Sequence, residues 1–88
     1  MQLEEDSLVS AKEAVVARFQ ELCIKHNIRI NELAVRSGVT PSTAYSMFDA
    51  SRKDVSILTI KKFCDGLEIS LKDFFDSELF ADLEQEIK

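Results

Sequence analysis

Apolar residues recur at helical spacing along most of this chain. Val15, Val16, Phe19, Leu22 and Cys23 mark one stripe, and Ile57, Ile60, Phe63, Cys64 and Leu67 mark another. Start and stop signals bracket these stripes. Ser10-Ala11-Lys12-Glu13 is a capping-box pattern that opens a first helix. That helix fades at Lys25-His26-Asn27, where basic residues suit a helix C-terminus and Asn tolerates a left-handed turn. A second helix is predicted over roughly 30–37 and a third over roughly 41–49, followed by a polar connection from Asp49 to Val55. Ser56 caps a fourth helix, and Ser70-Leu71-Lys72-Asp73 opens a short fifth one carrying Leu71, Phe74 and Phe75. Ser77 is placed to cap a last helix with Leu79, Phe80, Leu83 and Ile87 along one side. Two Gly and one Pro leave long periodic stretches unbroken. The expectation is an all-α fold of five helices with an additional C-terminal helix. It divides into an acidic tail (1–9), a helical domain (10–76) and an acidic C-terminal helix (77–88).

The stretch from Leu33 to Met47 carries the most information. It reads as two short helices joined by a tight glycine turn, a helix-turn-helix. Ala34 is small where the two helices must approach. Gly38 falls where the first of them has to end in a left-handed conformation that disfavours a Cβ. Val39, Ala44 and Met47 share one face and can pack against Leu33. Thr40 is a natural N-cap for the second helix of the motif. The opposite face, Pro41, Ser42, Tyr45 and Ser46, is left to solvent or to a partner.

Composition narrows the function without naming it. The 88 residues suit one small domain, and no apolar run is long enough to span a membrane. The acidic start Met1-Gln2-Leu3-Glu4-Glu5-Asp6 does not resemble a signal peptide, so a cytoplasmic location is expected. Cys23 and Cys64 stand alone inside apolar patterns and read as small core residues. His26, the single histidine, reads as a solvated helix-end residue. No nucleophile–base set, metal-ligand spacing or phosphate loop is visible, so neither catalysis, a metal nor a cofactor is expected. The net charge of −5 is unevenly spread. Residues 29–62 hold six Lys/Arg against three Asp/Glu, whereas residues 1–28 carry −2 and residues 63–88 carry −6. The positive segment contains the helix-turn-helix.

Residues from about 14 to 76 resemble the Cro and lambda-repressor type of helix-turn-helix regulator, also called the XRE family. The resemblance is carried by Glu32-Leu33-Ala34, Gly38-Val39-Thr40, Ser42-Thr43, the run from Thr59 to Leu67, and the run from Ile69 to Phe75. It is strongest to the small single-domain regulators of bacteria and their mobile elements. The resemblance implies that the third helix lies in the DNA major groove, with Pro41, Ser42, Tyr45 and Ser46 toward base edges. Thr40, Thr43, Arg52 and Lys53 would lie near phosphates, and so would Arg29 at the start of the second helix. It also implies a homodimer on a pseudo-palindromic operator in double-stranded DNA, with regulation by occupancy.

The chain departs from the family pattern at several positions. Arg29 replaces the frequent Ser or Thr cap, Ile30 the frequent Gln, and Pro41 the frequent Gln or Arg. Ala50 replaces a usual Gly, and Val55 a usual Pro. None of the four base-facing positions is Gln, Asn or Arg, so bidentate base recognition is absent from them. Specificity is then expected to rest partly on DNA shape and half-site spacing. Two surfaces stay open at this level. The C-terminal stripe either forms a dimer seam or packs back on the first helix, and Phe48 either joins the core or lies exposed as a dimer contact. The alternative functional class is a protein-interaction module on the same fold, an antitoxin or a regulator's partner. The acidic balance favours that alternative, and the positive middle segment opposes it.

Overall fold

The structure, a computed structural model, describes residues 9–49 and 51–87. It contains α1 (Ala11–His26), α2 (Ile30–Arg36), α3 (Pro41–Phe48), α4 (Ile57–Leu67), α5 (Leu71–Phe75) and a 3-10 turn (Glu78–Phe80). The expected tail of residues 1–9 lies, apart from Val9, outside the described residues. Ala50 and Lys88 lie outside them as well. No helix among the described residues is long and apolar enough to cross a membrane.

Local sequence fixes most helix ends. The Ser10 hydroxyl accepts from the Glu13 amide at 3.1 Å while the Glu13 carboxylate accepts from the Ser10 amide at 2.9 Å. This reciprocal pair satisfies two of the backbone donors that a helix start leaves without partners. The bond from the Ser10 backbone amide to the charged carboxylate, with a smaller contribution from the Ser10 side chain, also holds the Glu13 carboxyl below its ordinary pKa. Asn27 ends α1 in the left-handed region at φ 55°. Ser56 and Ser70 cap α4 and α5 through their side chains.

Packing then joins the helices around three aromatic rings. Phe19 of α1 lies 5.1 Å from Phe63 of α4 and 4.4 Å from Phe74 of α5, centroid to centroid, and all three are fully buried. Leu22, Cys23, Leu33, Ala34, Val39, Ala44, Met47, Ile60, Cys64 and Leu67 extend this core into the helix-turn-helix. Both cysteines are free and buried, and burial raises both thiol pKa values, that of Cys64 to about 11. Gly66 allows α4 to pass close under the α2–α3 turn. A Cβ there would meet the Ser37 hydroxyl at 2.2 Å.

The C-terminal helix contracts to a single turn. Ser77 caps it as expected, and Phe80 packs against Phe74 and Phe75. The chain then extends. Leu83 forms an isolated parallel bridge with Val9, and the Glu84 amide donates to the Val9 carbonyl at 2.9 Å. Two physical effects oppose a helix here. Asp82, Glu84 and Glu86 would load its C-terminal half with negative charge, against the helix dipole. The bridge to Val9 also offers the backbone a tertiary partner. Leu79 and Phe80 are therefore half-buried against the domain, while Ile87 is 84% exposed. The stripe packs back for its first half and continues no further as a helical face.

Gly38 occupies φ +66° with open space around its missing Cβ, so a side chain there meets only the conformational penalty. Gly38→Ala is expected to destabilise the domain by about 1–2 kcal/mol, read as a lower urea midpoint with unchanged slope. A pH dependence follows from the capping box. A lowered folded pKa means that the Glu13 contribution is complete above about pH 4.3 and is lost as pH falls through the folded value. The stability gap between wild type and Glu13→Gln is expected to be open at neutral pH and to close in acid. A gap independent of pH would show that ionisation of Glu13 is irrelevant.

Candidate nucleic-acid interface

α3 is a short helix with a strong start. Thr40 takes an extended backbone, and its hydroxyl accepts from the Thr43 amide at 3.3 Å while donating to the Thr43 hydroxyl at 2.9 Å. Pro41 fills the first helical position, where a missing N–H costs nothing. Ala44 and Met47 anchor the inner face in the core, as their spacing predicts. Val39 is instead buried from the turn before the Thr40 cap and not from a face of α3, and its amide donates to the Ala34 carbonyl at 3.0 Å. Pro41, Ser42, Thr43 and Tyr45 are exposed, and Tyr45 stands out at 79%. Ser46 is half-buried. Phe48 is also half-buried, and its ring packs edge-on against Phe63 at 6.4 Å.

The end of α3 is held by a residue distant in sequence. Lys12, in the first turn of α1, is only 4% exposed. Its ammonium donates to the carbonyl oxygens of Ser46 at 3.2 Å, Asp49 at 3.2 Å and Arg52 at 2.8 Å. An ammonium has three donors, and here all three find acceptors, which makes the buried charge tolerable. The positive charge also faces the negative end of the α3 dipole. The connection after α3 is further shaped by Asp49, whose carboxylate accepts from the Ser51 amide and hydroxyl at 2.9 and 2.8 Å. Those two bonds hold the Asp49 carboxyl below its ordinary pKa, with smaller help from Arg52 and Lys12. Arg52 in turn lies 3.6 Å from Asp49.

Tyr45 divides the exposed surface into two parts. On one side Ser42, Tyr45, Ser46, Phe48, Asp49 and Arg52 line a shallow notch of mixed character. On the other, an apolar groove of about 470 Å³ separates α2 from α3, with Tyr45 again on its wall. The structure therefore brings Ser42, Tyr45, Ser46 and Arg52 of the expected site around one feature. Thr43 lies toward α4, beside Val55 and Ser56. Lys53 is exposed on the side shared with Lys12, Val55 and Glu86, apart from the notch. Arg29 is exposed at the N-cap of α2, where its side chain makes no capping bond.

Two residues that hold helix ends are not among the expected site residues. One is Lys12. The other is Arg18, whose guanidinium donates to the carbonyls of Phe74 and Asp73 at 2.7 and 2.8 Å, capping α5, and pairs with Glu21 at 2.6 Å. A signal for Lys12 existed. A cation in the first turn of a helix opposes the dipole, and positions 12, 15, 19 and 22 lie on one helical face. A lysine at the head of an apolar stripe marks a tertiary bond.

Comparisons with known proteins agree with this geometry. A family model described as the Cro/C1-type HTH DNA-binding domain matches residues 18–78. A solved structure, the crystal structure of the prophage Lp1 protein 11, is similar at 37% identity and a TM-score of 0.75, covering 80% of this chain and 92% of that one. No curated protein matches.

The Lys12 bonds yield a stability test with an internal control. Lys12→Met removes three charge-assisted bonds and takes from the Arg52 carbonyl its donor, while the carbonyls of Ser46 and Asp49 keep their backbone amides. A loss of roughly 2–3 kcal/mol in urea unfolding is expected. Lys53→Met, at an exposed position with no ion pair among the described residues, is expected to stay within about 0.5 kcal/mol of wild type. Equal effects of the two substitutions would contradict the clamp.

Proposed function

Because this chain belongs to the Cro/C1-type helix-turn-helix DNA-binding family, we propose that it is a sequence-specific transcriptional regulator that inserts α3 into the major groove of its operator. The observation that carries this reading is the exposed face of α3, presented by a helix fixed at both ends. Thr40 caps its start, and Lys12 binds its last carbonyls. Tyr45 and Ser42 project from this face, so they are the residues assigned to base contacts, with Pro41 and Ser46 beside them. Arg52, Lys53, Arg29, Thr40 and Thr43 are assigned to phosphates, where side chains fix register but carry no sequence information.

The proposal includes a two-fold dimer on a pseudo-palindromic site. At 1.5 Å per residue, α3 is about 12 Å long. It covers about three to four base pairs, too few to define a site alone. Two copies on half-sites one helical turn apart supply the missing length.

Selection of bound fragments from a random duplex pool, followed by a salt titration, tests this function. An inverted repeat is expected, with affinity falling steeply as salt rises. Tyr45→Ala and Ser42→Ala are expected to weaken the selected site by about tenfold while sparing non-specific binding. Arg52→Ala combined with Lys53→Ala is expected to weaken binding to all sequences and to lower the salt slope by about two. No enrichment, even at low salt, would overturn the proposal and favour a protein-interaction module on this fold.

A further inference from the structure

The groove between α2 and α3 is unusual for a surface that meets a polyanion. Its walls are Ile30 and Val35 from α2 and Pro41, Ala44, Tyr45 and Phe48 from α3, and Asn31 supplies its polar side chain. Val35 is 80% exposed and Tyr45 is 79% exposed. Neither adds to the buried core, so packing does not account for their size or their apolar character. The groove sits within the positively charged third of the sequence, where six Lys/Arg face three Asp/Glu, while the flanking segments are acidic. A partner that carries negative charge outside and apolar groups within reach of a helix is duplex DNA. In the major groove, only one natural base presents an apolar group, the C5-methyl of thymine.

We propose that this chain recognises thymine by its C5-methyl group, lodged at the mouth of the α2–α3 groove between Pro41, Tyr45 and Val35. The proposal rests on the DNA-binding function above and adds its base preference. Two structural facts converge on it. The exposed positions of α3 carry no amide or guanidinium, so hydrogen bonds alone do not separate A·T from G·C there. The hydroxyls of Ser42 and Ser46 line the notch on the other side of Tyr45 and bond to donors or acceptors alike. Tyr45 thus separates a methyl-accepting groove from a permissive hydroxyl surface. The order along each half-site follows: a thymine beside the α2 edge of α3, and weakly constrained bases toward Asp49 and Arg52.

The test uses the selected duplex with single thymines replaced by deoxyuridine, which removes the methyl and keeps pairing and hydrogen-bonding groups intact. At one or two thymines per half-site the dissociation constant is expected to rise about fourfold, the factor that corresponds to about 0.8 kcal/mol for one buried methyl. Tyr45→Ala and, separately, Val35→Ser are expected to abolish that sensitivity. Both side chains are largely exposed, so folding of the variants is expected and is checked by the unfolding midpoint. Tight binding of the selected duplex with no response to deoxyuridine at any position would overturn methyl recognition while leaving DNA binding intact. Sensitivity that persists in both variants would also overturn it, because the methyl would then be read elsewhere. Failure of wild type to bind any duplex would instead refute the DNA-binding function, and this proposal with it.

Discussion

Lys12 carries a positive charge into the protein at the C-terminal end of the eight-residue α3. The last carbonyls of any helix lack intrahelical donors, and a short helix has few bonds to spare for them. Here one ammonium binds the carbonyls of Ser46 and Asp49, which also accept backbone amides, together with that of Arg52 in the following connection. A long-range contact from residue 12 therefore ties the end of α3 and the Arg52 connection to α1. A buried ammonium is tolerated only while it is hydrogen-bonded, so the three carbonyls around Lys12 have to keep their places. Arg18 plays the parallel part for α5, two turns further along α1. The long first helix thus acts as a spine that terminates two of the helices packed on it.

This dependence explains what the sequence reveals and what it hides. Ser10, Asn27, Gly38, Thr40, Ser56 and Ser70 act within a few residues of themselves, and each does locally what its side chain suggests. The spacing of Ala44 and Met47 likewise places α3 on the core through periodicity alone. The Lys12 bonds are different, because they join residues more than thirty positions apart and leave only an indirect trace at a helix start. The segment after Ser77 misleads for the opposite reason. Leu79, Phe80, Leu83 and Ile87 have helical spacing, yet the backbone of Leu83 and Glu84 pairs with Val9. A tertiary contact overrides a local pattern that carried the wrong charges for its dipole.

The candidate site was legible to a similar degree. Position on α3 predicts which residues face outward, and Pro41, Ser42 and Tyr45 do so. Their grouping was not legible. Arg52 shares a notch with Ser42 and Ser46, while Lys53, its neighbour in sequence, faces another side. The groove between α2 and α3 depends on the crossing of two helices, and so on Ala34 and the Gly38 turn. Sequence shows Val35 and Tyr45 only as two large residues in different helices. The fold places both on one groove and gives a chemical reason for their exposure.

The central claim is that the α3 face and the Arg52 connection together meet DNA. It is tested most directly by following the backbone amide NMR signals of the labelled protein as duplex DNA is added at low salt. The result expected is a set of shifts concentrated at Ser42, Thr43, Tyr45, Ser46, Arg52 and Lys53, with the 3-10 turn at Glu78–Phe80 unaffected. Shifts confined to that turn and to α5, with α3 silent, would contradict the account.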